Sequence, residues 1–147
     1  MADEIDISSI DITPAQFAEL VRNTPDAEIE TGIRAAGVDT VLDRIFQGMQ
    51  ESFAPDKATG VDAVIQWVVT DQGNEHPYQV TVKNGTCTVA RGKADAPKVT
   101  LTAALVPFLR LISGQENGVQ LFMKGALKVG GDLMFSQRVQ TFFTQPA

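Results

Sequence analysis

The sequence predicts an α+β domain, with a five-stranded mixed and largely antiparallel sheet and helices mainly on one of its faces. Three observations lead to this fold class. Apolar residues recur at helical spacing up to residue 53, alternate with a period of two from residue 61 to residue 102, and return to the helical period after residue 105. Runs of strands followed by runs of helices are typical of α+β folds.

Three helices are predicted before the first strand. A capping box begins at Thr13, and Thr24 followed by Pro25 repeats the start signal for a second helix, which Gly37 can end. The third helix, about residues 39–53, has the clearest pattern, because its apolar residues fall on a single stripe. We expect this stripe to face the core.

The middle of the chain has the alternation of β-strands, beginning near residue 61. One face of the first strand consists of Ala63, Ile65, Trp67 and Val69. Residues 78–92 form a hairpin around Asn84 and Gly85, a pair that favours a type I′ turn because both positions need positive φ. Residues 98–102 and 127–129 are predicted as the fourth and fifth strands. A parallel pairing of those two strands would need a right-handed crossover.

Helices are predicted again after the fourth strand. Pro107 fits a helix only in its first turn, where the missing N–H costs little, and Gly114 is the predicted end. Residues 118–123 form one short helical turn, and Asp132 is the predicted N-cap of a final helix. The apolar side of that helix consists of Phe135, Val139, Phe142 and Phe143.

Composition indicates a globular domain. The 147 residues are 44% apolar and 20% charged, which are ordinary globular values, and a single cysteine cannot form an internal disulfide. The net charge of −6 is concentrated in residues 1–30, which hold eight acidic residues and one basic residue. Such a leader cannot neutralise phosphates, so nucleic acid is not an expected partner, and an anionic membrane surface would repel it.

Neither a targeting signal nor a membrane span is recognisable. The first residues are acidic where a signal peptide is basic, and the last residues match no peroxisomal or lipidation signal. No segment reaches the roughly 20 apolar residues that a membrane-spanning helix needs. We therefore expect a soluble, cytoplasmic protein.

The sequence contains no recognisable catalytic constellation. His76 and Cys87 are the only histidine and the only cysteine, and one of each cannot build a His/Cys-rich metal site. No nucleophile elbow, phosphate-binding loop or dinucleotide-binding fingerprint is present. We expect Cys87 to be a small buried residue. The prediction is therefore a protein without enzymatic activity, metal or cofactor.

The last third of the chain is rich in large, adaptable apolar side chains. Five of the eight phenylalanines lie between residues 99 and 143, together with Met123 and Met134. Phenylalanine and methionine together make an apolar surface that adapts to irregular partners. Composition alone leaves two interpretations open, an ordinary filled core or the wall of a cavity.

Two stretches of this region resemble a known family. The first is residues 99–114, with Val-Thr-Leu-Thr and Phe-Leu-Arg-Leu, and the second is residues 121–134, Leu-Phe-Met-Lys-Gly-Ala-Leu-Lys-Val-Gly-Gly-Asp-Leu-Met. Together they resemble the sterol carrier protein 2 (SCP2) family in its bacterial stand-alone form, over about residues 38–145. The resemblance implies a sheet covered on one face by helices, with an apolar tunnel between them for a sterol, a fatty acid or a fatty acyl-CoA.

The resemblance also divides the chain into an acidic N-terminal helical extension, residues 1–37, and a lipid-binding domain, residues 38–147. Family members that engage membranes carry a basic amphipathic N-terminal helix, whereas this leader is acidic. We therefore expect sequestration of the ligand, or its presentation to a partner protein, rather than stable membrane association. We also expect that residues 1–37 can be deleted without unfolding the rest.

The predicted tunnel wall is drawn from the first strand and from the helices after the fourth strand. It consists of Trp67, Phe108, Ile112, Phe122, Met123, Met134, Phe135, Val139, Phe142 and Phe143. Arg110 or Lys124 could meet a carboxylate or a CoA phosphate at the mouth. The alternative function is an accessory interaction subunit of a lipid- or isoprenoid-related enzyme system, with a filled core and no ligand of its own.

Overall fold

A five-stranded mixed sheet forms the centre of the computed structural model, which describes residues 19–113 and 115–142. The strands are β1 (Asp62–Asp71), β2 (Asn74–Lys83), β3 (Thr86–Arg91), β4 (Val99–Ala104) and β5 (Leu127–Gly131). Their order in the sheet is β3-β2-β1-β4-β5. The pair β1–β4 is parallel and the other neighbouring pairs are antiparallel. The predicted fold class is confirmed.

Within the described residues, five α-helices pack on one face of this sheet. They are α1 (Asp26–Ala36), α2 (Val38–Glu51), α3 (Leu105–Ile112), α4 (Gly118–Lys124) and α5 (Leu133–Val139). Short 3-10 helices lie at Pro55–Ala58 and Gln140–Phe142, and residues 19–22 are also helical. The face that the helices cover is the one predicted for β1, whose side chains there are all buried.

Two tight turns connect the first three strands. Asn84 and Gly85 both have positive φ angles, 54° and 75°, as the predicted type I′ turn requires. The β1–β2 turn uses Gln72 and Gly73 in the same way, with φ angles of 53° and 83°. Because each turn is two residues long, the turns set the register of the β1–β2–β3 meander.

The pairing of the fourth and fifth strands differs from the parallel arrangement considered for them. β4 and β5 are antiparallel, with Leu127 opposite Ala103. The two helices α3 and α4 together return the chain to the end of the sheet where β4 finishes, so β5 runs back beside it. The parallel neighbour of β4 is β1, with Val99 opposite Ile65.

One buried side chain holds the connection between β3 and β4. Gln66 lies in β1 and is 3% exposed. Its amide nitrogen donates to the carbonyl oxygens of Trp67, Tyr78 and Gly92, each at 3.1 Å. Its own carbonyl oxygen accepts a hydrogen bond from the Ala94 N–H at 2.6 Å. These bonds satisfy the buried amide and bring the start of β4 beside β1.

Aromatic rings connect the helix layer to the sheet. Phe46 of α2 stacks on Tyr78 with 4.3 Å between ring centroids. Phe108 of α3 lies 5.4 Å from Phe46 and 5.2 Å from Trp67. Both phenylalanines are fully buried. The rings pack against one another above β1 and β2.

The start of α1 lies one residue later than its sequence signal predicts. Pro25 occupies the N-cap position, and the Thr24 hydroxyl donates to the Leu20 carbonyl oxygen at 2.6 Å instead of capping α1. Gly37 follows the last residue of α1 with a φ of 101°, as a helix-ending glycine can. The other predicted start, at Thr13, lies outside the described residues.

The second half of the predicted extension packs against the rest of the chain. Val21, Ile29 and Ile33 are buried in the same apolar core as the sheet. Arg34 donates two hydrogen bonds to the Asp71 carboxylate, at 2.7 and 3.1 Å, and these bonds lower the pKa of Asp71. Independent folding of the two predicted parts stays a prediction, but the described part of the extension shares its core with the domain.

Candidate functional site

An apolar pocket lies between the sheet and the last three helices. Its volume is about 110 Å³. Its walls come from β1, β4 and β5 on one side and from α3, α4 and α5 on the other. The lining residues are Trp67, Leu101, Leu111, Gly118, Val119, Phe122, Leu127, Val129, Leu133, Ser136, Gln137 and Val139. Most are apolar, so the pocket suits a hydrocarbon surface.

The strand register forms the floor of the pocket. Trp67 of β1, Leu101 of β4 and Val129 of β5 are direct neighbours across three strands. Side chains at alternate positions of a strand point to the same face, so the period of two that predicts these strands also gathers the three side chains. Trp67 and Leu101 are 4% and 3% exposed.

Trp67 also carries an unsatisfied hydrogen-bond donor. Its indole nitrogen is buried and has no partner among the described residues, whereas buried tryptophans usually find one. The ring of Phe108 packs edge-on against the indole. A buried donor without an acceptor costs about 1–3 kcal/mol, so an acceptor brought to this side chain would be stabilising.

Helix α4 forms one side of the pocket mouth. The Asn117 side chain accepts a hydrogen bond from the Gln120 N–H at 2.8 Å, and Gly125 ends the helix in the left-handed conformation. Leu121 is buried against the core. Val119 and Phe122 line the pocket and are 54% and 43% exposed, so the pocket reaches solvent along this helix.

Helix α5 forms the other side of the mouth. Asp132 caps it as predicted, because its carboxylate accepts a hydrogen bond from the Phe135 N–H at 2.9 Å, and this bond lowers the pKa of Asp132. Gly131 precedes the cap with a φ of 86°, and a Cβ there would lie 2.6 Å from the Lys98 carbonyl oxygen. Only glycine fits this turn, which holds the start of α5 beside the pocket.

The structure brings part of the predicted tunnel wall to this pocket. Trp67, Phe122 and Val139 line it. Three other residues of the predicted wall are buried but do not line the pocket, namely Phe108, Phe135 and Phe142. Ile112 is half-buried, and Phe143 lies outside the described residues.

The two methionines lie differently from the prediction. Met123 and Met134 are 80% and 77% exposed and do not line the pocket. They project from α4 and α5 on the sides that face away from the core, since Leu121 and Phe135 occupy the buried sides. An apolar residue type alone does not show which side of a short helix is covered.

The two predicted head-group contacts both have partners within the chain. Lys124 forms an ion pair with Glu116, with 2.6 Å between nitrogen and oxygen. Arg110 donates to the Val21 carbonyl oxygen at 3.2 Å and pairs with Asp26. Arg110 therefore holds the segment before α1 against α3, and it is not a lining residue of the pocket.

Six apolar lining residues were not predicted from the sequence. They are Leu101, Leu111, Val119, Leu127, Val129 and Leu133. The alternation in β4 and β5 contained the signal for those on the strands, because Leu101 and Val129 share the face of Trp67. The prediction favoured large aromatic and methionine side chains over these smaller residues.

The histidine and the cysteine are not lining residues of the pocket. Nδ1 of His76 lies 2.7 Å from a carboxylate oxygen of Asp39 on α2. Cys87 in β3 is buried as expected, and burial raises the pKa of its thiol to about 11, so it is protonated at neutral pH. Among the described residues, no group of three acidic, histidine or cysteine side chains could hold a metal ion.

The fold and the pocket define an α+β domain with an apolar pocket between a mixed sheet and its helices. The profile of the SCP-2 sterol transfer family matches residues 42–144. The chain belongs to this family. In the described ranges, no helix is both long enough and apolar enough to cross a membrane.

Two relatives illustrate the similarity in sequence. The oleate-induced peroxisomal protein POX18 of Candida maltosa is 32% identical over 102 residues, which are 67% of this chain and 80% of the relative. Human sterol carrier protein 2 is 32% identical over 128 residues, which are 86% of this chain. This chain spans only 23% of the human protein.

Solved structures show the same fold. Sterol carrier protein 2 from Yarrowia lipolytica, in its apo form, has a TM-score of 0.53 at 25% identity, over 60% of this chain and 71% of that one. The sec-alkylsulfatase Pisa1 from Pseudomonas sp. has a TM-score of 0.63 at 20% identity, over 78% of this chain and 18% of that one. The second likeness concerns the fold alone and a small part of a larger enzyme.

Proposed function

We propose that this chain binds a lipid-like ligand, namely a sterol, a fatty acid or a fatty acyl-CoA, in the pocket between the sheet and helices α3 to α5. It holds the ligand for sequestration or for presentation to a partner protein. The observation that carries the proposal is the apolar pocket in a member of the SCP-2 sterol transfer family. The Candida relative is named for induction by oleate and the human relative for sterols, so both ligand classes belong in the test.

Apolar contact alone can supply a useful affinity. Each buried methylene contributes about 0.8 kcal/mol, so about ten of them correspond to roughly 8 kcal/mol, a micromolar Kd. The cost of ordering the ligand and the pocket reduces this value. Polar contacts are therefore expected to refine the choice of ligand rather than to provide most of the binding energy.

The pocket has to enlarge to hold a whole lipid. Its volume of about 110 Å³ is below the roughly 300–1,000 Å³ that ligand pockets usually have. Helices α4 and α5 are the adaptable side, because each has only seven residues and each borders the pocket mouth. We propose that the ligand separates α4 from α5 and then contacts Phe108, Phe135 and Phe142, the buried residues predicted for the wall.

Lys124 is the proposed contact for the polar end of the ligand. It lies in the last turn of α4, the helix that forms one side of the pocket mouth. Its side chain is 60% exposed in the ion pair with Glu116, and ion pairs at the surface contribute little stability, so a carboxylate or phosphate can replace Glu116. The unsatisfied N–H of Trp67 is a second donor for a ligand oxygen once the pocket opens.

We propose binding rather than catalysis as the activity. The two groups most suited to catalysis, His76 and the Cys87 thiol, do not line the pocket, and the thiol pKa of about 11 opposes its use as a nucleophile. The similarity to Pisa1 covers 18% of that enzyme and supports no activity here. The cytoplasmic location stays a prediction, since the Candida relative is peroxisomal by name.

Trp67 makes the proposal directly testable, because it is the only tryptophan of the chain and lines the pocket. The purified protein is titrated with oleic acid, oleoyl-CoA and cholesterol while tryptophan emission is recorded. At least one ligand should change the emission saturably, with a Kd in about the micromolar range. Phe122→Asp, at the mouth, should weaken binding, whereas Ala35→Asp, exposed on α1, should not.

Native mass spectrometry of the freshly purified chain completes the test. A co-purified lipid would support the proposal. Unchanged tryptophan emission with all three ligands, together with no co-purified lipid, would contradict it. A co-purified protein chain in that case would favour the accessory-subunit alternative.

A further inference from the structure

The pocket wall carries no charge among the residues that the structure describes. Only Trp67, Ser136 and Gln137 bring polar side-chain atoms to it, and the other nine lining residues are apolar or glycine. A carboxylate inside such a wall would lose its hydration without gaining an opposite charge, which is the most costly kind of burial. The interior of the pocket therefore suits uncharged groups.

The three polar residues differ in what they offer to a ligand. Ser136 uses its hydroxyl proton in a hydrogen bond to the Leu133 carbonyl oxygen, so its oxygen is left as an acceptor. Gln137 is exposed on α5. Trp67 lies on β1, the central strand of the sheet, and is 4% exposed. Its indole N–H has no partner among the described residues, so the interior holds a donor that needs an acceptor.

A lipid oxygen is better suited to this donor than water is. The indole nitrogen is buried in the ligand-free pocket, so an acceptor reaches it only as the pocket widens. A buried water molecule needs about two to four polar partners, whereas Leu101 and Val129, beside Trp67 on the pocket floor, are apolar. An oxygen attached to a hydrocarbon satisfies the N–H and fills the apolar space at once.

We infer that the ligand enters this pocket with an uncharged, oxygen-bearing end first, and that this oxygen accepts the hydrogen bond of the Trp67 N–H. Lipid alcohols, ketones and esters belong to this class, and a sterol hydroxyl is one example. A free fatty acid binds the other way round, with its carboxylate at the mouth near Lys124 and the indole N–H left without a partner. The inference rests on the proposed lipid binding and adds the direction of entry and the chemistry of the buried end.

The indole N–H itself reports the predicted bond. The chain has one tryptophan, so a proton–nitrogen correlation spectrum of the full chain contains one indole signal. Dodecanol, methyl dodecanoate and dodecanoate are added separately at neutral pH. Dodecanol and methyl dodecanoate should move the indole proton signal downfield, as a hydrogen bond to oxygen does. Dodecanoate has the same chain length and an ionised end, and it should leave the signal close to its ligand-free position.

Replacement of Trp67 by phenylalanine removes the donor and keeps an aromatic ring on the pocket floor. Calorimetry gives the affinities of both proteins for the three ligands. Trp67→Phe should weaken dodecanol and methyl dodecanoate roughly tenfold more than it weakens dodecanoate, because only the uncharged oxygens lose a hydrogen bond. A general effect of the smaller ring is common to all ligands and cancels in this comparison.

Val129→Ala is the control on the same floor. It shortens an apolar lining residue and removes no polar atom, so it should weaken the three ligands by similar factors. Circular dichroism checks that both variants are folded. The indole signal of the wild type needs no variant, so the inference is tested even if Trp67→Phe does not fold.

Three results would overturn the inference. The first is an indole signal that stays in place at saturating dodecanol and methyl dodecanoate, and the second is a Trp67→Phe variant that weakens dodecanoate as much as dodecanol. The third is an indole signal that lies far upfield without ligand and does not move, since the N–H would then point at the ring of Phe108, 5.2 Å away between centroids.

Failure of the inference is distinguishable from failure of the proposed function. If the ligands bind and the indole signal does not respond, the proposed lipid binding stands and the inferred direction of entry is wrong. If neither these ligands nor oleic acid, oleoyl-CoA and cholesterol bind, the proposed function is wrong and the inference is wrong with it.

Discussion

Replacement of Phe142 by alanine distinguishes the solid part of the core from the pocket. Phe142 is fully buried, and its ring centroid lies 5.7 Å from that of Phe135. The guanidinium of Arg138 lies over the same ring at 5.6 Å. Phe142 is not a lining residue of the pocket, so alanine would leave a new cavity in the ligand-free protein.

Truncation to alanine should lower the free energy of unfolding by different amounts at Phe142 and at Phe122. A fully buried phenylalanine loses about 3–5 kcal/mol on truncation to alanine, from the transfer term and the new cavity, and the packed surroundings of Phe142 place it in that range. Phe122 is 43% exposed and already borders open volume. Phe122→Ala should therefore cost roughly 1 kcal/mol, because only about half of the side chain leaves water on folding.

Urea unfolding of the ligand-free protein gives the stabilities, and oleic acid titration gives the affinities. We expect Phe142→Ala to lose mainly stability and Phe122→Ala to lose mainly affinity. A cost below about 2 kcal/mol for Phe142→Ala would refute the packing argument, since it would mean that a cavity already lies beside the ring. A large cost combined with no ligand binding by the wild type would favour the filled core of the accessory-subunit alternative.

Deletion of residues 1–37 should abolish the cooperative thermal transition or strongly lower its midpoint temperature, because α1 buries apolar side chains in the common core. The family pattern led to the opposite expectation. An unchanged transition would contradict this prediction. Gly131→Ala should cost roughly 1–3 kcal/mol or more in urea unfolding, since its Cβ would lie 2.6 Å from a backbone oxygen. Gly130→Ala, with its nearest contact at 3.9 Å, is the control and should cost less than about 1 kcal/mol. The pKa of Asp71 is lowered by Arg34, so this pair stabilises the fold above the ordinary pKa of about 3.9 and loses the effect as the pH falls through the lowered pKa. Arg34→Gln should therefore destabilise at neutral pH and much less once the pH falls below the lowered pKa of Asp71; equal losses at both would refute the argument.

Features that depend on a few neighbouring residues were predictable from the sequence. Asn84 and Gly85 form the predicted turn because the demand for positive φ is local to the pair. Asp132 caps α5 through a bond to an N–H three residues later. The alternation around Trp67 predicted the buried face of β1, because side-chain direction in a strand follows from position alone.

Features that depend on distant residues were not predictable in the same way. The parallel neighbour of β4 is set by the pairing of Val99 with Ile65, and no local pattern encodes that choice. Arg110 was one of the two predicted head-group contacts. Its contact with Val21 joins residues 89 positions apart, so the packing of the segment before α1 against α3 became apparent only in three dimensions.

Only part of the candidate site was predicted from the sequence, because several of its residues lie on short helices. Trp67, Phe122 and Val139 line the pocket, but of these only Trp67 lies on a strand, where the inward side follows from alternation. Met123 and Met134 are on seven-residue helices that carry apolar residues on more than one side. In helices this short, periodicity cannot distinguish the covered side from the exposed side.

Gln66 couples the folding of β4, the strand parallel to β1, to that of the β1–β2–β3 meander. Its amide needs the Tyr78 carbonyl of β2 and the Gly92 carbonyl after β3 at the same time, so these bonds cannot all form until the first three strands are paired. Hairpins close short loops, whereas the pairing of β1 with β4 closes a longer one and is slower. We therefore expect the meander to assemble first and to act as a template for β4. The half of the molecule that contains the pocket would then be added last, on a scaffold that is already rigid.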